Sequence, residues 1–457
     1  MKTFHYLLIS VLIFAGCKKQ INNEITVTGH LQSADIEEIY LKSDDLTFKA
    51  PVDSNGTFIL KFAVDQPRIF RLNNDLNLFL IPGDTIIINK DGEAYKFSGG
   101  QSAVLSNYYQ EWEKYWSKLT ENFDEEKYFS QEPDDFTRTI YQYIDTSKIP
   151  LHELSNKITD INPEFIRLEN ERLKYWMIID FLPYENQMYK HYTGKEPAIQ
   201  ESFHDYMNDV NLNDSSLLQL ESYKDFLITY INYNSKKELQ NNTELSKDKY
   251  SETDFILNFI CKEFTNQRVL DYVLYKIIYD RTNDLRMNEK NLAAFKENCR
   301  NVDFIENVDK RYQELQVIMP GQPAPDFTLY DANNKEYKLS DFKGKYLLID
   351  VWGVFCQPCI REMPYLKQIE QDYKNKNIEF VCICLEKDPA LWLKRVGELN
   401  LTGIQLIDKG GRESQFRKGY KIYWTPTYIL IDTEGKFIDA RAPRPSENLR
   451  DLLDKSL

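Results

Sequence analysis

Glycine, proline and cysteine are all scarce in this sequence, and each shortage excludes a class of protein. Only 17 glycines and 17 prolines occur among 457 residues, whereas 42% of the residues are apolar. This composition excludes a collagen-like, linker-like or disordered chain. Seven cysteines are far too few for a scaffold built on disulfides. The length instead predicts about three domains with hydrophobic cores of their own.

Positive charge and histidine are also in short supply. The formal net charge of −14 disfavours a nucleic-acid partner, because binding phosphates requires a basic face. His152, His191 and His204 lie far apart, and none has a neighbour at metal-ligand spacing. The sequence therefore predicts neither a nucleic-acid partner nor a metal site.

The chain begins with an apolar run that is too short to cross a membrane, and no later segment is apolar enough to do so. Lys2 precedes the apolar stretch Tyr6–Ala15, which ends in Phe14-Ala15-Gly16-Cys17. This arrangement resembles a bacterial lipobox, in which cleavage precedes a cysteine that receives a lipid. The resemblance implies a signal peptide at 1–16 and a lipidated Cys17. It also implies an envelope lipoprotein facing the periplasm, on either the inner or the outer membrane. An ordinary signal peptide with an incidental cysteine is the alternative.

Two different patterns of apolar residues follow the signal peptide. Within residues 17–100, alternating runs such as Thr57–Phe62 are separated by turn sequences such as Asp53–Gly56, which predicts an antiparallel β domain resembling a sandwich or barrel. Residues 101–316 change to helical spacing, as in the aromatic stripe that contains Tyr108 and Trp112. We expect a helical domain in which such aromatic residues belong to the core rather than to a glycan site.

A proline-rich connector at Met319–Pro325 introduces a third pattern, in which strands and helices alternate. This alternation predicts an α/β domain over residues 317–457. The predicted strands are Tyr346–Val351, Ile378–Cys384, Ile404–Asp408, Thr427–Asp432 and Phe437–Ala440. The predicted helices are Gln357–Asn375, Pro389–Asn400, Arg412–Tyr420 and Glu447–Asp454.

The segment Cys356-Gln357-Pro358-Cys359 follows the first of these strands and opens the first of these helices. Two cysteines at a helix start can form a reversible disulfide, and the helix dipole favours the thiolate of Cys356. Cys359 would then attack the mixed disulfide that Cys356 forms with a partner. A zinc site is disfavoured, because no histidine follows His204 and the other late cysteines, Cys382 and Cys384, lie on a predicted strand.

The residues around this pair resemble the thioredoxin superfamily, in its exported TlpA/ResA-like branch. Trp352 precedes the motif as in W-x-x-x-C-x-P-C, and Pro364 follows Cys359 by five positions. Gly321–Phe327 resembles the entry strand shared with peroxiredoxins, and Tyr423–Thr427 resembles the cis-proline segment. The resemblance covers residues 317–457 and implies a thioredoxin-like fold. Residues 17–316 resemble N-terminal domains fused to thioredoxins in lipoproteins of Bacteroidetes.

The resemblance also implies roles for individual residues. Asp350 would exchange the proton of Cys359, and Glu362 would tune the two catalytic cysteines. The residues expected to contact substrate are Pro426, Thr425, Trp352 and Pro358. An acid at a strand end is often merely solvated, however, and an acid in the first turn of a helix also complements the helix dipole.

The function implied is that of a periplasmic thiol–disulfide oxidoreductase that needs no cofactor besides the disulfide Cys356–Cys359. Gln357-Pro358 supplies no positive charge to stabilise a thiolate, which favours a reductase over a DsbA-like oxidase. The expected partners are oxidised exported proteins, such as apocytochrome c, and an electron-donating membrane thiol transporter of the DsbD type. One alternative is a lipoprotein in which residues 24–316 bind a glycan or a protein. A thiol peroxidase is another, but Gly353 occupies the place of the peroxiredoxin threonine.

Four further cysteines lie outside the motif. Cys382 and Cys384 alternate onto one face of a predicted strand, where buried small residues are expected rather than a second redox pair. Cys261 and Cys299 lie in the helical region, and the sequence does not decide whether they pair with each other.

Overall fold

The structure is a computed structural model that describes residues 23–31, 36–43, 46–73, 76–91, 94–240 and 249–457. The predicted signal peptide and Cys17 lie outside these residues. The chain divides into two units, residues 1–234 and 235–457. This division falls within residues 101–316, which the sequence groups into one helical domain. The predicted domain boundaries stay predictions.

The first unit begins with two four-stranded sheets. Its strands are β1 (Glu24–Leu31), β2 (Glu38–Lys42), β3 (Thr47–Pro51), β4 (Thr57–Ala63), β5 (Arg68–Leu72), β6 (Leu76–Leu80), β7 (Thr85–Asp91) and β8 (Ala94–Gly99). One sheet has the order β4-β1-β7-β8 and the other β3-β2-β5-β6, and apolar side chains from both form a single core. The sandwich-like prediction is thus confirmed, except that β1 and β7 pair in parallel rather than antiparallel.

Helices follow the sheets of the first unit. They are α1 (Gln101–Leu119), α2 (Glu125–Phe129), α3 (Pro133–Ser147), α4 (Ile149–Lys157), α5 (Pro163–Ile178), α6 (Phe181–Pro183), α7 (Tyr189–Thr193) and α8 (Glu221–Gln240). The last residues of α8, from residue 235 onward, belong to the second unit. The aromatic stripe of α1 packs inward as predicted: Tyr108 and Trp112 are buried, and the indole of Trp112 donates to the carbonyl of Ser147 at 2.9 Å. These aromatic residues therefore belong to the core.

The second unit contains four helices that precede the α/β domain. They are α9 (Lys249–Glu263), α10 (Gln267–Asn283), α11 (Glu289–Asn298) and α12 (Val302–Leu315). Asparagine side chains cap three of them by accepting hydrogen bonds from backbone amides of the first turn: Asn266 for α10, Asn288 for α11 and Asn301 for α12. Such caps stabilise helix starts, because the first amides of a helix have no partner within it.

A seven-stranded sheet forms the centre of the α/β domain. Its strands are β9 (Thr328–Tyr330), β10 (Glu336–Lys338), β11 (Tyr346–Trp352), β12 (Ile378–Cys384), β13 (Ile404–Ile407), β14 (Thr427–Ile431) and β15 (Phe437–Ala442). Its helices are α13 (Gln357–Asp372), α14 (Pro389–Glu398), α15 (Gln415–Gly419) and α16 (Leu449–Ser456). The strand order is β10-β9-β13-β12-β11-β14-β15, in which β12 and β13 run parallel to β11 and β14 antiparallel. This is the predicted thioredoxin-like fold.

Both faces of this sheet are covered. On one face, Leu348 and Trp352 of β11 pack with Cys359 of α13. On the other face, residues of β11 pack with Leu315 of α12 and with Ile318, which follows that helix. The core of the α/β domain therefore includes side chains that precede the connector at residues 319–325.

Candidate active site

The two cysteines of the motif are joined by a disulfide at the start of α13. Cys356 is the N-cap of the helix and is half-buried, and its sulfur accepts a hydrogen bond from the backbone amide of Cys359 at 3.2 Å. Cys359 lies one turn further and is buried. Once the disulfide is reduced, the helix dipole and this amide favour a thiolate at Cys356, the sulfur that a second molecule can reach.

The loop before β14 faces the cysteine pair. The Thr425–Pro426 peptide bond is cis, as the resemblance implied. A Cβ placed on Gly353 would lie 3.9 Å from the Cβ of Cys356 and 4.0 Å from the Oγ1 of Thr425. Glycine at residue 353 thus leaves the loop and the first cysteine close together, with no side chain between them. Thr425 therefore lies on the same side of the motif as Cys356.

Asp350 is a buried carboxyl on the central strand β11, with only 3% of its surface exposed. Side chains two residues apart on a strand point to the same face, so Asp350 shares the face of Leu348 and Trp352, which pack with Cys359. Burial raises the pKa of Asp350 to about 7, and the negative charges of Glu370 and Glu362 add to this effect. A carboxyl with such a pKa can both accept and donate a proton near neutral pH.

The strands on either side of β11 place further titratable groups beside Asp350. Cys382 of β12 and Tyr428 of β14 are its register partners. Burial, followed by the charge of Asp350, raises the pKa of both groups well above their usual values. Both groups therefore stay protonated at neutral pH, where Asp350 titrates. The Oδ1 atom of Asp350 has no hydrogen-bond partner among the described residues, so it is free to accept a proton.

Glu362 is also buried, and its carboxylate is hydrogen-bonded to Ser446. Its Oε2 atom accepts from the backbone amide of Ser446 at 2.9 Å, and its Oε1 atom accepts from the hydroxyl of Ser446 at 2.8 Å. These two bonds tie the carboxylate of Glu362 to the segment that precedes α16. Its charge adds, after burial and the charge of Glu370, to the rise in the pKa of Asp350.

The two prolines of α13 differ in their surroundings. Pro358 occupies the second position of the helix, where no backbone amide is needed, and is half-buried beside the cysteines. Pro364 lies inside the helix and is exposed. Of the two, Pro358 is the one that lies between the cysteines of the motif.

The structure does not support a substrate contact for Trp352. Its side chain is fully buried in the core beneath α13, with 0% of its surface exposed. Trp352 lies two residues after Asp350 on the same face of β11, and this face is covered by α13, which explains its burial. Trp352 therefore packs behind Cys359 and cannot meet a protein substrate, so this prediction is wrong.

Other aromatic residues are exposed near the cysteines instead. Phe355, directly before Cys356, has 79% of its surface exposed, and Tyr423 and Trp424 before the cis-proline are also exposed. The sequence predicts no substrate contact for these three aromatic residues, although they lie beside the cysteine motif and within the cis-proline segment. Their position next to the catalytic motif and the cis-proline is the signal that could have identified them.

The four other cysteines among the described residues, Cys261, Cys299, Cys382 and Cys384, are free thiols. Cys382 and Cys384 are buried, as expected for small core residues, and Cys299 is buried while Cys261 is half-buried. Within the described ranges, no group of three or more His, Cys, Asp or Glu side chains is arranged to hold a metal ion. In the same ranges, no helix combines the length and apolar character needed to cross a membrane.

Comparisons with known proteins match the same part of the chain. The family described as Redoxin matches residues 319–453. The thiol-disulfide oxidoreductase ResA of Bacillus thuringiensis is 34% identical over 136 residues, which cover 30% of this chain and 77% of that protein. ResA of Geobacillus kaustophilus is 34% identical over 126 residues, covering 27% of this chain and 70% of that protein.

Solved structures also match this part. One is a thiol-disulfide oxidoreductase from Bacteroides fragilis, 29% identical, which covers 30% of this chain and 100% of that chain with a TM-score of 0.28. The similarity to the curated relatives carries the assignment, since it spans most of their length. Through its C-terminal domain, this chain belongs to the ResA-like family of thiol-disulfide oxidoreductases.

Proposed function

We propose that this protein is a membrane-anchored oxidoreductase that faces the periplasm and reduces disulfides of exported proteins. The observation that carries the proposal is the arrangement around the disulfide. Cys356 is reachable beside the cis-proline loop, whereas Cys359 is buried near a carboxyl whose pKa is about 7. An accessible nucleophile, a protected resolving thiol and a buried acid are the groups that dithiol exchange requires.

The reaction transfers two electrons from the reduced pair to the substrate. The Cys356 thiolate attacks one sulfur of the substrate disulfide, which forms a mixed disulfide and releases the other substrate sulfur as a thiolate. Asp350 accepts the proton of Cys359, and the resulting thiolate attacks the sulfur of Cys356. The second substrate thiolate then leaves, and the Cys356–Cys359 disulfide forms. The proton on Asp350 passes to a leaving thiolate or to solvent.

Thr425, Pro426 and Pro358 would guide the substrate in this reaction. The residues around the cis bond lie next to Cys356, where an extended chain can pair with the backbone of the loop. Glu362 would act at longer range, by keeping the pKa of Asp350 high.

The proposed direction of electron transfer and the proposed cellular location both rest on sequence features. Gln357-Pro358 carries no positive charge, so the thiolate of Cys356 receives no such stabilisation and the pair favours reduction of its substrates. A lipid on Cys17 would hold the protein at a membrane. A thiol transporter of the DsbD type would then supply electrons to the oxidised pair. The substrates would be oxidised exported proteins, including apocytochrome c.

Reduction of insulin by dithiothreitol tests the proposal. We expect the wild-type chain to accelerate precipitation of the insulin B chain and Cys356→Ser to abolish the acceleration, because no thiolate remains to attack. Cys261→Ser is the matched control, since it removes a half-buried free thiol outside the motif. An unchanged rate in Cys356→Ser would show that this pair does not perform the exchange.

Trapping with Cys359→Ser separates the proposed activity from a binding lipoprotein with an accessory redox domain. Without the resolving thiol, the mixed disulfide on Cys356 should accumulate with defined exported proteins and disappear on reduction. A binding protein would yield non-covalent complexes that do not depend on Cys356.

A further inference from the structure

The loop that precedes the cis-proline is contacted by a residue from outside the thioredoxin-like sheet as well as by one from the sheet. Tyr423 and Trp424 occupy this loop, with their rings 6.1 Å apart and both side chains exposed. Exposed aromatic side chains bind a substrate more tightly when they are already held in position, because less conformational entropy is lost on binding. The contacts that fix them come from two arginines, one of them on α12.

Arg311 of α12 lies against the ring of Tyr423. Its guanidinium carbon is 3.9 Å from the ring centroid, and only 11% of the arginine side chain is exposed. The Nε atom of Arg311 donates to the Oδ1 atom of Asn283, the last residue of α10, at 2.5 Å. The planar guanidinium is therefore held between the end of one helix and the ring, a geometry that lysine cannot reproduce.

Arg441 of β15 supports the same loop from the sheet. It donates to the carbonyl of Lys421 at 2.6 Å, and its guanidinium carbon is 5.4 Å from the ring centroid of Trp424. Burial lowers the pKa of Arg441 to about 10, while the charge of Asp284 opposes this effect. Arg441 thus remains a cation at neutral pH. Asp284, at the end of α10, offsets the repulsion between Arg441 and Arg311.

We propose that Arg311 is a positioning residue for disulfide exchange. By stacking on Tyr423, it holds Tyr423 and Trp424 in front of the cis-proline, where they form part of the surface on which a substrate chain docks. The inference rests on the proposed function and extends the substrate site to α10 and α12, helices that precede the region matched by the Redoxin family.

The kinetics of insulin reduction test this proposal in the full chain. Arg311→Ala should raise the KM for insulin about fivefold and leave kcat unchanged, because the loop binds substrate but does not take part in the sulfur chemistry. The reduction potential of the Cys356–Cys359 pair should not change. Arg311→Lys keeps the charge but loses the planar stacking, and it should behave like Arg311→Ala. Lys310→Ala removes an exposed cation from the same helix and should match the wild type.

Hydrogen exchange of residues 421–427 gives a second readout that does not depend on turnover. Amides of this loop should exchange faster in Arg311→Ala than in the wild type and in Lys310→Ala. An unchanged KM together with unchanged exchange in this loop would overturn the proposal, as would a loss of kcat with no change in KM. If the wild-type chain itself fails to reduce insulin, the proposed function fails, and the role of Arg311 in exchange fails with it.

Discussion

Asp350 shows how the surroundings of one residue determine its chemistry. Burial raises its pKa from 3.8 to about 7, so the carboxyl is protonated below neutral pH and ionised above it. The apolar side chains on its face of β11 and the two acids on α13 both disfavour the charged form. The ionised form, which can accept the proton of Cys359, therefore becomes available as the pH rises through 7.

This titration predicts the pH dependence of exchange. In single-turnover measurements followed by tryptophan fluorescence, the wild-type resolution step should accelerate as the pH rises through 7. Asp350→Asn should lose this increase and react about 100-fold more slowly at pH 8, since it has no base for Cys359. Asp451→Asn, which changes an exposed carboxylate on α16, should keep the wild-type profile. An Asp350→Asn profile that still rises through pH 7 would exclude this role.

The sequence predicts residues whose roles depend on short spacings better than residues whose roles depend on exposure. The spacing of Cys356, Cys359 and the cis-proline is local, and the structure has the disulfide and the cis bond that it implied. Whether Trp352 faces a substrate depends on what packs over it, and α13 covers its ring. The contact between Arg311 and Tyr423 joins residues more than a hundred positions apart, and no local pattern signals it.

At the scale of elements, apolar patterns predict the central strands but not the short ones at sheet edges. The predicted strand Ile378–Cys384 matches β12, in which six of seven residues are buried. The edge strand β3 buries only Ala50, and the edge strand β10 has three residues, none of them fully buried. Such strands form because a neighbouring strand offers backbone hydrogen-bond partners. Their own side chains do not carry the pattern of buried apolar residues that predicts a strand. The parallel pairing of β1 with β7 also joins segments far apart in the sequence, and local patterns do not predict it.

The packing of α12 against the α/β sheet predicts that a core residue of this helix stabilises the domain. Leu315 is 1% exposed within the core beneath β11. We expect Leu315→Ala to destabilise this unit by about 2–5 kcal/mol, because it leaves a cavity in a closely packed core. The measurement is urea unfolding of the oxidised chain, followed by fluorescence.

Val317→Ala is the matched control, because this valine lies two residues further along the chain and is exposed. Its free energy of unfolding should stay within about 0.5 kcal/mol of the wild type. Equal, small losses in both variants would show that α12 does not contribute to the core of the α/β domain.

At the scale of the whole molecule, the predicted lipid attachment and the redox disulfide lie far apart in the sequence. Cys17 precedes the first strand, whereas Cys356 follows all the elements from β1 to β11. All the residues of the proposed exchange chemistry belong to the second unit, residues 235–457. Membrane attachment and catalysis should therefore be separable by mutation.

Fractionation of cells that produce a Cys17→Ser variant tests this separation. The variant should move from the membrane fraction to the soluble periplasmic fraction, because the single attachment cysteine is lost. Its insulin-reduction rate should equal that of the wild type. A variant that stays with the membranes would contradict the lipid anchor.

The reduction potential of the Cys356–Cys359 pair distinguishes a reductase from an oxidase. It can be measured on the chain without residues 1–17 by equilibration in redox buffers. Trp352, which is buried in the same core as Cys359, serves as the fluorescence reporter. A potential well below about −200 mV, near that of thioredoxin at about −270 mV, is the predicted result. A potential near −120 mV would make the protein an oxidase and reverse the proposed flow of electrons.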